Sequence, residues 1–384
     1  MGLRSAGVDS GTYSVDIVAI EESDGGFRVV YEEAIPRMLV VKNPGIIVER
    51  LSMLVRENNV SSIAVSSGYG VPLKRAQETG REEIRAATFI HRGDEERGLR
   101  ILGLRRAMEL LAESDLPVWF TPGVVQLPTV PEWRKLNKID MGTSDKVYSA
   151  AAALREEVED RGTPVEEADI IVLEVGYAYT AALALESGRI VDGIGGTAGF
   201  TGYMGAGAWD SEVAYLAAFI EPGFSKERLF EGGAAALLGG GWPPPPPEEV
   251  AERAARGDER ARLVIEALAE AAAKDVLALL ASVRPRRVYV TGRWWRVEAF
   301  RRALGEKLAP LLSRLGAEAT GLGYRGTAKE AALGAALIAN GLAGGRYEWI
   351  VETLRLRESR GTVFDHIVVG GLSERARRYY GLQR

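Results

Sequence analysis

Gly7-Val8-Asp9-Ser10-Gly11-Thr12-Tyr13-Ser14, followed by the apolar run Val15 to Ile20, has a near-copy about 165 residues further on. The copy is Leu173-Glu174-Val175-Gly176-Tyr177-Ala178-Tyr179-Thr180, followed by Ala181 to Leu185. Each segment carries an acid at the end of an apolar strand, then a glycine, then a hydroxyl residue, then a second strand. Either segment alone reads as an ordinary hairpin turn with an acid beside it. Two in matched places of two halves predict a pair of hairpins closing on one polyphosphate. Phosphate is held by backbone N–H donors, with glycine allowing close approach and hydroxyls adding bonds. Ser10, Gly11, Thr12, Tyr13 and Ser14 supply a run of such donors, four of them with hydroxyls. A carboxylate facing a polyphosphate is repulsive unless a cation lies between. Asp9 and Glu174 are therefore candidate ligands of Mg²⁺, which prefers to be held through water.

Working outward, both halves read as three strands and then alternating helices and strands. The first half gives strands over 3–8, 14–20 and 27–33, with Ser23-Asp24-Gly25-Gly26 as a turn signal. A helix over 45–57, a strand over 62–66, an amphipathic helix over 100–112 and a strand over 117–121 follow. The second half gives strands over 170–175, 178–185 and 189–193. A loop, Gly239 to Trp242 with Pro243 to Pro247, is expected to be exposed, because five prolines suit neither helix nor central strand. One long Ala-rich helix over 248–282, a strand over 287–290, helices over 297–304 and 307–315, a strand over 318–320 and a helix over 327–340 complete the pattern. A duplicated α/β unit predicts two lobes with a cleft between them, joined by helices over 144–159 and 327–340. The expected boundaries are 1–143 for the first lobe, 144–343 for the second with its Pro-rich loop 239–247, and 344–384 for a tail returning to the first lobe.

Composition narrows the function classes. The chain has 384 residues, 46% apolar and 26% charged, with net charge −5, ordinary for a globular protein with two full cores. That charge leaves no electrostatic footprint for nucleic acid. With no cysteine and only two histidines, disulfides and thiolate metal sites are excluded and a zinc site is not expected. No run of 18 apolar residues and no signal peptide are visible, so neither a membrane nor export is expected and the cytoplasm is.

Five motifs in order resemble the actin, sugar-kinase and heat-shock chaperone ATPase superfamily, also called the acetate and sugar kinase fold. Asp9–Ser14 and Glu174–Thr180 are similar to its two phosphate loops. Asp140–Leu154 and Thr327–Ala336 are similar to its two interlobe helices. Val288-Tyr289-Val290-Thr291-Gly292-Arg293 is similar to its adenosine loop. Val191 to Phe200 resembles the acetate and butyrate kinase branch. The whole chain resembles an archaeal family of unknown function held to be butyrate-kinase-like. The resemblance implies an α/β, two-lobed, ribonuclease-H-like duplicated fold with an interlobe nucleotide cleft, and ATP with Mg²⁺ as cofactors. It implies nucleotide contacts from Asp9, Ser10, Gly11, Thr12, Tyr13, Ser14, Gly176, Tyr177, Thr180, Gly195, Gly196, Thr197, Gly292, Arg293 and Gly334. Arg293 or Trp294 would stack on the adenine face, with packing at a helix start as the plainer use of Trp294. A close helix contact is the plainer use of Ala331 to Ala336.

The expected activity is phosphoryl transfer from Mg·ATP to a small carboxylate or hydroxyl acceptor. The alternative is an ATP-driven switch or scaffold of the same fold; a homodimer is allowed for. An alcohol acceptor needs a carboxylate to take its proton. Asp140 is the first candidate for this, because sugar kinases of the fold carry their catalytic Asp near there. Asp145 is the second, although an acid in a first helical turn also complements the helix dipole. A carboxylate acceptor needs cations instead, with Lys138, Lys146, His91 and Arg92 as candidates. Gly195 to Trp209 holds no Arg, Lys or His, so the glycine-rich loop that carries an arginine in acetate and butyrate kinases lacks it here. Gly202 to Asp210 reads as an apolar lid or wall.

Overall fold

The computed structural model describes residues 2–96, 102–221, 224–241 and 243–382. Arg100 and Ile101, expected to start a helix, and Trp242 of the Pro-rich loop lie outside the described residues.

Among the described residues eleven strands form two sheets. The first takes β1 (Arg4–Ser10), β2 (Ser14–Ser23), β3 (Gly26–Pro36), β4 (Ser62–Val65), β5 (Lys74–Arg75) and β6 (Val118–Phe120), in spatial order β3-β2-β1-β4-β6-β5. The second takes β7 (Ile170–Val175), β8 (Thr180–Glu186), β9 (Arg189–Ile194), β10 (Arg287–Thr291) and β11 (Glu318–Gly321), in order β11-β10-β7-β8-β9. Apart from β5, the second sheet repeats the first. An antiparallel meander of three strands is followed by two strands that join in parallel on the far side of the first. The repeat extends to a local irregularity. The β2/β3 ladder slips one residue between Ala19 and Ile20, and the β8/β9 ladder does so between Ala184 and Leu185. Those positions are separated by the same interval as Asp9 and Glu174. Bulges of this kind bend a strand and raise its twist, so the two meanders curl alike and carry their tips to matching places.

Central strands are buried along nearly their whole length: β1 and β2 are open only at their ends, and β7 is buried throughout. That is why β7 and the 17–20 stretch of β2 read as continuous apolar runs rather than alternating ones. The two interlobe helices run over Ser144–Arg155, continuing as a wider π turn to Asp160, and over Glu330–Leu342. All thirteen residues of the second are buried. Its small side chains let main chain meet main chain: a methyl group at Gly334 would lie 1.9 Å from the Tyr148 carbonyl oxygen. One at Gly7 of β1 would lie 2.2 Å from the Ala336 nitrogen. Leu337 and Ile338, fully covered, contribute about 1.5–3 kcal/mol each by leaving water.

Several expectations change. The helix expected over 248–282 is two, Pro247–Ala255 and Glu259–Leu279. The break comes where Gly257 takes φ +95° and Asp258 caps the second helix by accepting from the Arg260 and Ala261 nitrogens. The two helices expected over 297–304 and 307–315 are one, Glu298–Leu315. Gly305 lies on its open side, where nothing stands within 4 Å of a Cβ. The helix expected from 327 begins at Glu330, with Lys329 extended before it. The Pro-rich loop is not simply exposed. Pro244 and Pro247 are buried, Tyr177 Oη donates to the Pro244 carbonyl and Tyr203 Oη to that of Pro245 at 2.6 Å. The prolines lie as a strap across two tyrosines. Helices over Arg81–Thr88, Ser211–Ile220 and Leu372–Tyr380 complete the parts used below. Among the described residues no helix is long and apolar enough to cross a membrane.

Candidate functional site

β1 ends against the second interlobe helix and β7 against the first, and the two helices pack on each other, so that their convergence gathers charge. Asp9 is fully buried. Its Oδ2 accepts from Lys329 Nζ at 2.8 Å, while its Oδ1 is buried without a partner. Glu174 accepts from Lys146 Nζ at 2.7 Å and from Ser149 Oγ at 2.8 Å. Asp145 takes the other side of Lys146 at 2.5 Å and the Thr143 hydroxyl at 2.5 Å. Asp16 accepts from Ser14 Oγ at 2.7 Å and lies 3.9 Å from Lys329 Nζ. Four carboxylates thus face two ammonium groups in a space closed by two strands and two helix starts. Burial, with Asp145, Glu174 and Asp16 adding to it against Lys329, pushes the Asp9 carboxyl up to about 7. For Asp145 burial acts upward too, but Lys146 and Thr143, helped by Lys329, outweigh it and hold the carboxyl below its usual range. Both lysines resist burial because of the acids around them and titrate above their usual range.

Loop tips complete the arrangement. The Tyr13 and Tyr177 rings meet edge to face at 5.1 Å. Arg293 lies over Tyr13 at 3.7 Å and pairs with Glu248 at 3.1 Å. Trp294 is buried against Tyr203 and Phe300, the packing use allowed for it. The turn at Gly176 closes by its N–H donating to Tyr179 O at 2.9 Å. Thr180 Oγ1 donates to Asp275 at 2.6 Å, a buried acid raised to about 6 by burial against the bonds from Thr180 and Phe200. Gly292 takes φ +95° against the Val175 backbone. Ser10, Gly11 and Thr12 occupy the turn above Asp9.

Asp140 stands elsewhere, in a lock with the following loop. Its Oδ2 accepts from the Thr197 nitrogen at 2.9 Å and hydroxyl at 2.8 Å, and its Oδ1 from the Gly142 nitrogen at 3.1 Å. A Cβ at Gly195 would run into that carboxylate, and one at Gly196 into the Tyr179 ring. Gly334 faces Tyr148 at the helix crossing. Of the four cations named from sequence, only Lys146 enters the charged cluster. Lys138 is exposed, His91 lies 3.2 Å from Asp94 and 3.3 Å from the Phe224 carbonyl, and the Arg92 nitrogen donates to Tyr379 Oη. Tyr203 and Met204 of the expected lid are buried wall.

Two lysines were not anticipated. Lys329 had a signal in the sequence, because a cation at a helix N-terminus opposes the dipole and needs a local acid. Lys226 had none. It crosses from the second lobe to donate to the Thr88 and Phe89 carbonyls at 2.9 and 3.0 Å, with its ammonium over the Tyr69 ring at 4.4 Å. Burial brings it down to about 7 against the pull of Asp140 and Asp94.

A protein-family model described as "Protein of unknown function (DUF1464)" matches residues 7–369. No curated protein matches the sequence. Among solved structures, a propionate kinase from Francisella tularensis superposes with TM-score 0.57 at 16% identity, over 87% of this chain and 98% of that one. An acetate kinase from Porphyromonas gingivalis gives 0.53 at 15%, over 82% and 88%. The acetate kinase from Entamoeba histolytica gives 0.51 at 11%, over 80% and 87%. At such identities the likeness is one of fold, and it agrees with the two-lobed duplicated architecture.

Proposed function

We propose that this chain, which belongs to the DUF1464 family, binds Mg·ATP between its lobes and transfers the terminal phosphoryl group to a small carboxylate. The observation that carries the reading is the cluster of Asp9, Asp145, Glu174, Lys146 and Lys329 beneath two equivalent hairpin tips. Structural phosphate sites and phosphoryl-transfer sites both need fixed charge and close backbone. The open Oδ1 of Asp9 fits a cation, and the bare Cα of Gly11 fits a phosphate. Among the described residues no three acids or histidines stand together as a metal cage, so Asp9 and Glu174 would hold Mg²⁺ through water. That ion would neutralise charge on the phosphates. Ser10 to Ser14 would donate N–H groups to them, and Gly176 to Thr180 would do so from the other hairpin.

A carboxylate acceptor fits better than an alcohol. An alcohol needs a base with a free oxygen and a pKa near the working pH. Both Asp140 oxygens are occupied in the Thr197 lock, Asp145 is held acidic by Lys146, and Asp9, which has a free oxygen and a carboxyl raised to about 7, is taken by the metal in this reading. A carboxylate arrives ionised and needs no base, which suits a butyrate-kinase-like chain. The test is calorimetric titration with Mg·ADP and Mg·ATP, followed by ADP release with acetate, propionate and butyrate against a panel of sugars. Lack of nucleotide binding would overturn the reading; turnover with sugars alone would move it to an alcohol acceptor.

One observation favours a partner-binding scaffold as second reading. The helix Ser211–Ile220 buries none of its residues, and Tyr215 and Phe219 stand 70% and 75% exposed. Nucleotide-dependent association without acceptor-dependent ADP release would favour it.

A further inference from the structure

The nucleotide reading needs positive charge at the first hairpin, and the five sequence motifs hold three basic side chains: Lys146, Arg293 and Lys329. Lys146 is shared by two carboxylates, at 2.5 and 2.7 Å. Arg293 is engaged by the Tyr13 ring and Glu248. Lys329 differs. Of its three N–H donors, one meets Asp9 Oδ2 at 2.8 Å, and the next carboxylate oxygen, on Asp16, is 3.9 Å away. Its ammonium also lies inside the turn that Ser10 to Ser14 make. A Cβ built on Gly11 would fall 1.9 Å from Nζ and 3.0 Å from Cε. The lysine is thus seated over the one residue of that turn without a side chain, in the place where backbone N–H groups would receive an anion. Its own backbone is fixed, being the extended residue that starts a wholly buried helix.

We propose that Lys329 is the phosphate-binding cation of the site, and that it trades its bond to Asp9 for a phosphate oxygen when a nucleotide enters. The pair is built for such an exchange. Asp9 is buried with one oxygen already unpartnered, so the carboxylate released by Lys329 is the one facing an incoming cation. The same movement would bring positive charge to the phosphate and open an acid to the metal. Lys146, held on both sides, would stay and keep Asp145 and Glu174 apart. This inference rests on the nucleotide reading above.

The experiment compares Mg·ADP with adenosine by titration calorimetry, because only the first has phosphates. Lys329→Ala should weaken Mg·ADP by about 10- to 100-fold, the worth of one charged hydrogen bond, and leave adenosine unchanged. Lys329→Met is the companion that separates charge from stem: it keeps the chain of methylenes beside Gly11 and removes the ammonium, so Mg·ADP should weaken while adenosine does not. Equal losses for both ligands would make Lys329 a structural residue, and unchanged Mg·ADP affinity in both variants would remove it from the site. Either result overturns the inference alone. A wild-type protein that binds neither ligand overturns the nucleotide reading and the inference together.

Discussion

Replacing Lys146 by methionine should destabilise the protein, and more at pH 8 than at pH 5. Among the described residues Lys146 is the only cation within 3 Å of Asp145 and Glu174, and its stem reaches from the first interlobe helix to Glu174 of β7. Methionine keeps the stem and removes the charge. Breaking a buried pair from one side costs about 3–5 kcal/mol, because the partners stay behind unpaired. Unfolding entropy near about 2.1 cal/mol/K per residue, over 384 residues, makes that loss about 4–6 °C in melting temperature. The pH dependence has a definite sign. In the wild type, Asp145 is held below its unfolded pKa, so its contribution is present above that value and is lost as pH falls through the lower folded one. Without Lys146, burial dominates and the folded pKa rises. The contribution is then present at low pH and lost as pH rises through the folded value. Scanning calorimetry of both proteins at pH 5 and pH 8 measures the difference. A loss of under about 1 kcal/mol, or the same loss at both pH values, would refute the buried-pair account.

Asp9→Asn should gain on the wild type as pH rises from 5 to 8, because a carboxyl raised to about 7 contributes stability that is lost as pH climbs through that value; a flat difference in melting temperature would count against it. Tyr177→Phe and Tyr203→Phe each delete one hydroxyl bond to the proline strap, about 1 kcal/mol apiece, and hydrogen exchange or proteolysis around Gly239–Gly241 should quicken; unchanged rates would mean that ring packing alone holds the strap. Asp140→Ala strands the donors of Gly142 and Thr197, at about 1–3 kcal/mol for each buried group, and should lower the melting temperature; lost turnover with unchanged melting would instead make Asp140 a base.

The paired hairpins were legible because their chemistry is local. An acid, a glycine and a hydroxyl between apolar strands specify a tip wherever they occur, and β1, β2, β7 and β8 follow within a few residues. The matched bulges were not, since a one-residue slip leaves no mark in a run such as Val18-Ala19-Ile20. The break at Gly257-Asp258 was hidden by alanine-rich helical spacing on both sides. The role of Asp140 as a brace depended on Thr197, 57 positions away, and no local pattern announces such a partner. Lys329 stood inside a quoted motif, yet its meaning lay in Asp9 at the other end of the chain.

The crossing of Gly334 on Tyr148, with Gly7 against Ala336, would serve as a bearing in any movement of the lobes. Main-chain surfaces this close leave little room to slide, and a turn about the contact disturbs them least. Any opening between the lobes would then be a swing about that point, as a hinge pin allows. The hairpin tips lie further along the strands and would travel the longer arc, parting Tyr13 from Tyr177. Lys226 would act as the stop, because its grip on the Thr88 and Phe89 carbonyls spans the two arms and must let go before they can separate.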